Sequence, residues 1–584
     1  MTHTIDLAEY LWRRLAELGL RSVHGVPGDY NLTLLDYLDS NGLRWVGNAN
    51  ELCSGYAADG YARIKGIGAL ATSFGVGELS AINAIGGAYA EKAPVVHIVG
   101  TPPTGIQKAG VCVHHSLGDG NYRVFADMYK LVTVAQANLM DPSTAPEMID
   151  KTLKECIHKS RPVYIEMPTD MVQAKVPPPE SPIDLSITGY NETIEDQLVD
   201  EVVSRIQGSK KPMILVDGFS ARFGVKDEIN ELVKLTGFPT LATSCGKGIV
   251  SEGLENFHGV HFGSAGPPGH QEWAQSRDLV LRFCALNSDT NTFGYTAQPD
   301  PKVTVTFESD SIQMTGTNSS SAEGQVISLK SALTKLLGRL KHLELPIAEP
   351  YPKECGSLRQ MLNDLKTPDD GATVDQYSFW LLISDYIKSG DIVMTETGTA
   401  SYGGQSLILP DDTTLINSTI WLSIGYMLAA CQGASLAQRD MCQDGTGHPG
   451  RTILFEGEGS LQMTAQSISD IIRNKLDVII FVLNNKGYTV ERIIHGFDAV
   501  YNDVQDWRHL EAPSYFGAPQ DDPSYPVRTF SARNWGELRA ILQHAGLQQG
   551  KGLNMIEIMM EVDDAPHSLK KFVEYVRNRN RGKA

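Results

Sequence analysis

Two apolar runs in the C-terminal third frame the chain, Thr452-Ile453-Leu454-Phe455 and Val478-Ile479-Ile480-Phe481-Val482-Leu483. They are rich in β-branched and aromatic residues and continuous rather than alternating. Such runs suit strands buried on both faces of a parallel sheet. The first breaks at Gly457-Glu458-Gly459-Ser460, a helical stretch follows, and the second ends at Asn484-Asn485-Lys486-Gly487-Tyr488. The pattern predicts strand, acidic turn, helix, strand, polar turn. Both turns then fall at the carboxyl ends of neighbouring strands, where open α/β sheets bind ligands.

The same alternation runs through the rest of the chain. Val23-His24-Gly25 reads as a strand entering a turn at Pro27-Gly28-Asp29, and Val95 to Val99 as a buried strand. Pro212 to Asp217 is a further strand, and the first twenty residues pattern as an amphipathic helix. Strands alternating with helices imply parallel sheets covered on both faces. Proline-bearing stretches at Val176–Pro182 and Leu345–Pro352 are stiff, extended linkers. The predicted fold class is α/β, with three doubly wound parallel-sheet domains at 1–180, 190–345 and 360–565. A C-terminal tail, 566–584, carries several Lys and Arg and is expected to be solvated and partly frayed.

Composition narrows the partners. At 584 residues, 42% hydrophobic and 20% charged, the chain is an ordinary globular protein with material for several cores. A net charge of −19 argues against nucleic-acid or anionic-membrane partners. The eight cysteines form no C-x-x-C pair, so reduced thiols and a cytoplasmic location are expected. The N-terminus lacks the layout of a secretory signal, and no apolar run reaches membrane-spanning length.

Several residues could carry chemistry. Glu458 and the Asn484-Asn485 turn offer oxygen ligands suited to Mg²⁺, beside glycines that let backbone approach a diphosphate. Glu51, taken alone, is a carboxylate favoured at a helix start. Asp29, after Pro27-Gly28, is a turn residue or helix cap. His114-His115 sits in a glycine-containing loop; with no third ligand at a familiar spacing, a metal site is not predicted there. Gly75-Val76-Gly77-Glu78 is only part of a dinucleotide fingerprint, and Gly246-Lys247-Gly248 lacks the hydroxyl residue of a P-loop.

Two stretches together resemble the thiamine-diphosphate (ThDP)-dependent 2-oxo acid decarboxylases of the fungal pyruvate decarboxylase type. Twenty-four residues separate Gly459 from Asn484, the family's spacing between Gly-Asp-Gly and Asn-Asn, although Glu458 stands where the family has Asp. Asn50-Glu51-Leu52-Cys53-Ser54-Gly55-Tyr56-Ala57-Ala58-Asp59-Gly60-Tyr61-Ala62-Arg63 is similar to the family's segment carrying the carboxyl group for the pyrimidine N1′.

The resemblance implies a pyrimidine-binding, a middle and a diphosphate-binding domain, with ThDP and Mg²⁺ as cofactors. By resemblance, Glu51, Asp29, His114, His115 and Glu491 are catalytic, and imidazole suits proton transfer near neutral pH. Pro27, Gly28, Val76, Asn83, Thr397, Thr399, Leu422, Ile424, Gly459 and Ser460 would line the cofactor. Glu458, Asn485 and the Gly487 carbonyl would hold Mg²⁺. Leu422 departs from the family's usual Gly, and its side chain is expected to crowd the pyrimidine. Thr290, Ser401, Val490 and Ile494 would surround the substrate side chain. The implied reaction is decarboxylation of pyruvate to acetaldehyde and CO₂. Alternatives are a longer branched-chain or aryl 2-oxo acid, or a catalytically weak assembly protein disarmed at Glu458. Since the family draws Glu51 and the His pair from one subunit and the metal motif from its neighbour, a homodimer at least, and a homotetramer beyond it, is expected. The stretch Asp217 to Arg222 holds no cysteine, so the substrate activation known through that position in some relatives is not implied.

Overall fold

The computed structural model describes residues 3–315 and 326–582. Three six-stranded sheets, flanked by helices, follow one another along the chain. In the first, the order is Arg44–Trp45, Ser22–Gly25, Gly68–Ser73, Val95–Thr101, Val163–Pro168, Gln136–Asn138, all parallel. In the third it is Thr414–Ile416, Ile392–Thr395, Thr452–Gly457, Val478–Asn484, Leu553–Met559, Val527–Ala532, again all parallel. Numbered by position in their own units, both sheets run 2-1-3-4-6-5. The first and third units are therefore topological copies. The middle sheet runs 3-2-1-4-5-6 and ends in an antiparallel edge strand, Ile312–Met314; this and a short antiparallel pair, Ile5–Asp6 with Lys175–Val176, depart from the all-parallel expectation.

The two framing runs form adjacent central strands, paired residue for residue from Thr452↔Val478 to Gly457↔Leu483. Their side chains are buried on both faces, as continuous apolar runs require. Helices Glu51–Lys65 and Tyr426–Gln443 press the two copied units together. They cross on small residues: a Cβ on Gly433 would overlap the Ala57 carbonyl, and one on Gly60 the Ala430 carbonyl.

The tail differs from expectation. His567–Asn580 is a helix that buries Leu569, Phe572, Val573 and Val576. These recur at helical spacing and form one apolar stripe. The basic residues of this helix are exposed outside that stripe, and their number masked it in a reading of net composition.

Candidate active site

The turn after Thr452–Gly457 begins a helix at Glu458, and the turn after Val478–Asn484 leads into the helix Thr489–His495. Parallel register brings the turns side by side. Glu458, 3% exposed, crosses the gap: its Oε1 accepts from the Gly487 N–H at 2.5 Å and its Oε2 from the Asn485 N–H at 3.4 Å. Burial raises its carboxyl above the usual range, opposed by the two N–H donors. The added methylene, the feature that set Glu458 apart in sequence, lets it reach the opposite turn.

A cavity of about 280 Å³ opens over these turns. Thr397, Thr399, Leu422, Ile424, Glu458, Gly459, Ser460, Asn485, Gly487 and Glu491 all line it, as do Thr290, Ser401, Val490 and Ile494. Several features suit a polyanion with a cation. Gly459 and Ser460 open a helix, Asn485 has no side-chain hydrogen bond among the described residues, and the Thr397 hydroxyl is buried without a partner. Gly487 sits at φ 135°, and Gly459 lets the Tyr488 ring close in. Partial burial raises the Glu491 carboxyl at the mouth of the cavity. Behind the wall, burial raises the Glu396 carboxyl above its ordinary value, although the Met427 and Thr397 N–H groups donate to it.

Leu422 adopts φ 56°, a left-handed conformation that a leucine holds at a cost of about 1–2 kcal/mol. It follows Trp421 in a segment clamped by Glu91, whose Oε1 accepts from the Ser418 hydroxyl and from the N–H groups of Thr419, Ile420 and Trp421. The rest of the lining was not foreseen from sequence. Leu569, Phe572, Val573 and Val576 of the C-terminal helix roof the cavity, with Tyr402 and Tyr488 beside them.

The remaining predicted residues gather elsewhere, in the first unit. Asp29 and His114 share a 2.8 Å hydrogen bond between Oδ2 and Nε2, and the Tyr30 ring stacks on His114 with centroids 4.9 Å apart. His115 sits at φ 66°, its carbonyl packed where a side chain on Gly75 would be. Pro27 and Gly28 form the turn before Asp29, Gly28 donating to Asn31. Glu51 opens its helix, capped by Asn50, and its carboxylate faces Gly77. Val76 is exposed at the next helix start. Asn83, expected to line the cofactor, donates to Tyr56 and Ser423 and accepts from the Trp421 indole N–H, so it ties the first unit to the third. None of these residues lines the cavity of the third unit within one chain.

Family comparisons match the three units in order. The thiamine pyrophosphate enzyme N-terminal TPP-binding domain covers residues 5–121, the central domain 199–336 and the C-terminal TPP-binding domain 396–508. A pyruvate decarboxylase of Aspergillus parasiticus is 46% identical over 576 residues, 97% of this chain and 96% of the relative. The chain belongs to the thiamine-diphosphate-dependent pyruvate decarboxylase family. Relatives of the same name include one from Aspergillus fumigatus, 43% identical over 99% of this chain and 98% of its own length. Pyruvate decarboxylase isozyme 2 of Saccharomyces cerevisiae is 38% identical over 97% of both chains. Membership makes this chain a ThDP-dependent carboxy-lyase and gives the two TPP-binding units their cofactor. Among the described residues, no helix is long and apolar enough to cross a membrane.

Proposed function

We propose that the protein decarboxylates pyruvate to acetaldehyde and CO₂ with ThDP and Mg²⁺. The observation that carries this reading is the single cavity collecting the diphosphate-side residues with Thr290, Ser401, Val490 and Ile494. The oxygen donors of Glu458, Asn485 and the Gly487 carbonyl would hold Mg²⁺, a hard cation that prefers such ligands. When bound, the cofactor supplies the nucleophilic carbon and the electron sink. The protein supplies position and protons. Glu51 would hold the pyrimidine N1′, and Ile424, which lines the cavity, would support the cofactor. The Asp29–His114 pair, His115 and Glu491 would move protons to and from the substrate oxygen and carbon. The roof of Leu569, Phe572 and Val573 would exclude water, which strengthens every charge interaction beneath it.

A second copy completes this arrangement. The acid and histidine set of one chain is absent from its own third-unit cavity, while Val76, Leu117, Trp421 and Met463 near the two sets are exposed. Apolar residues so placed suit an interface between copies, so we assign a homodimer as the working unit and a homotetramer as its assembly. All eight cysteines are free, which supports a reducing, cytoplasmic compartment. Aldehyde release from pyruvate, measured with and without ThDP and Mg²⁺, tests the reaction. Turnover that needs both additions is expected. No turnover at saturating cofactor overturns the pyruvate assignment. Turnover of a branched-chain or aryl 2-oxo acid in its place would reassign the substrate.

A further inference from the structure

The loop carrying His114-His115 gains in three dimensions a ligand that chain spacing could not supply. Asp29, 85 residues earlier, brings its carboxylate to the imidazole pair, and one ligand atom from each of the three residues lies within 4.8 Å of the others. We propose that Asp29, His114 and His115 form a binding site for a borderline-soft transition-metal dication, with Zn²⁺ as its type, separate from the oxygen-only site of Glu458.

Two imidazoles and a carboxylate are a donor set that zinc accepts, leaving a fourth position for water. Tetrahedral bonds of about 2.0–2.1 Å place ligand atoms about 3.3 Å apart. The Asp29 Oδ2 to His114 Nε2 separation of 2.8 Å must therefore open slightly. Both side chains can give way, being 54% and 58% exposed. Tyr30 stacked on His114 keeps the ring plane in place during that adjustment. His115 is held more firmly. Its backbone is fixed at φ 66° against Gly75, and its Nδ1 is buried with no hydrogen-bond partner among the described residues. One His115 ring nitrogen lies within 4.8 Å of the other two ligand atoms, so a side-chain rotation must draw it in to tetrahedral spacing.

The two sites select different ions. Mg²⁺ favours oxygen and keeps several waters, whereas imidazole suits Zn²⁺ and Cu²⁺. A dication on Asp29 and the His pair would take up the lone pairs of that cluster and release its exchangeable protons to solvent. It would stop turnover without displacing Mg²⁺. The binding itself does not depend on the decarboxylase reading, so the two can fail separately.

The test is calorimetric titration of the cofactor-free, full-length protein with Zn²⁺ alone in millimolar Mg²⁺. One Zn²⁺ per chain is expected. Loss of a group that merely supports a metal ligand costs 10–100-fold in affinity, so removing two ligands in the His114→Ala/His115→Ala double variant should cost about 100-fold or more. Asp29→Ala should weaken binding by about 10-fold, with circular dichroism and assembly size unchanged. Glu458→Gln and Cys112→Ser should bind Zn²⁺ as the parent does, and the Co²⁺ derivative should show no thiolate charge-transfer band. Zn²⁺ binding that survives the double histidine variant overturns the proposal, as does binding lost in Cys112→Ser or Glu458→Gln. In the holoenzyme, Zn²⁺ inhibition should persist when Mg²⁺ is raised; relief by Mg²⁺ would place the ion at the Glu458 turns and refute the assignment.

Discussion

Glu458→Asp is the most informative substitution in the protein. Removing one methylene withdraws the carboxylate by about 1.5 Å, a carbon–carbon bond length. The 2.5 Å contact with the Gly487 N–H then becomes a gap of about 4 Å, and the 3.4 Å contact with Asn485 is lost as well. A hydrogen bond to a charged group is worth about 1.5–3 kcal/mol, or about 10–100-fold in an equilibrium. Without cofactor, the Gly487 amide of the variant should exchange with solvent faster by that factor. Cofactor binding should change in the opposite direction. In the parent, the carboxylate must turn away from two N–H dipoles that occupy its oxygens before a cation can sit between the turns. In the variant that cost is gone, and the Kd for ThDP at saturating Mg²⁺ should fall by up to the same factor. Hydrogen exchange resolved at residues 484–488 and calorimetric titration of ThDP supply the two measurements. Unchanged protection at Gly487, or a Kd that rises, would refute the reasoning.

Other sites give sharper or simpler tests. Burial raises Glu78 to about 7, against hydrogen bonds from Tyr164 and the Gly75 N–H. Because the folded value lies above the unfolded one, its stabilising contribution is full below the unfolded pKa, near 4.5, and is lost as pH rises through about 7. The melting temperature of the parent should therefore fall between these values more than that of Glu78→Gln; parallel curves would count against it. Truncation before His567 unroofs the cavity, and kcat should drop at least about 10-fold while ThDP still binds; equal kcat would show that the helix excludes nothing. Gly433→Ala drives a methyl into the Ala57 carbonyl between two packed helices, and a loss of about 3 kcal/mol or more, read as lost soluble protein or a lowered urea midpoint, is expected. Leu422→Gly releases a left-handed leucine, so ThDP affinity should rise; weaker binding would mean that the side chain supports the cofactor.

Local pattern alone determined a good deal. Continuous apolar runs, glycine turns and proline linkers are features of neighbouring residues, so they revealed the α/β class, the two turns over Glu458 and Asn485, and the helix opening at Glu51. Tertiary structure decided what depends on residues far apart in the chain. The 2-1-3-4-6-5 order shared by the outer units is a matter of strand pairing, invisible where the two sequences have diverged. The roof formed by Leu569 and Phe572 needed a stripe of apolar residues to find a cavity more than seventy residues upstream. Glu458 read as an imperfect metal ligand until the register of two strands set the Gly487 N–H 2.5 Å from it. Local pattern made Asp29 a turn residue and resemblance made it catalytic; its 2.8 Å contact with His114 appears only when the first unit packs. In each case the chain specifies a side chain and its local backbone, whereas its partner is chosen by the burial of cores that join distant segments.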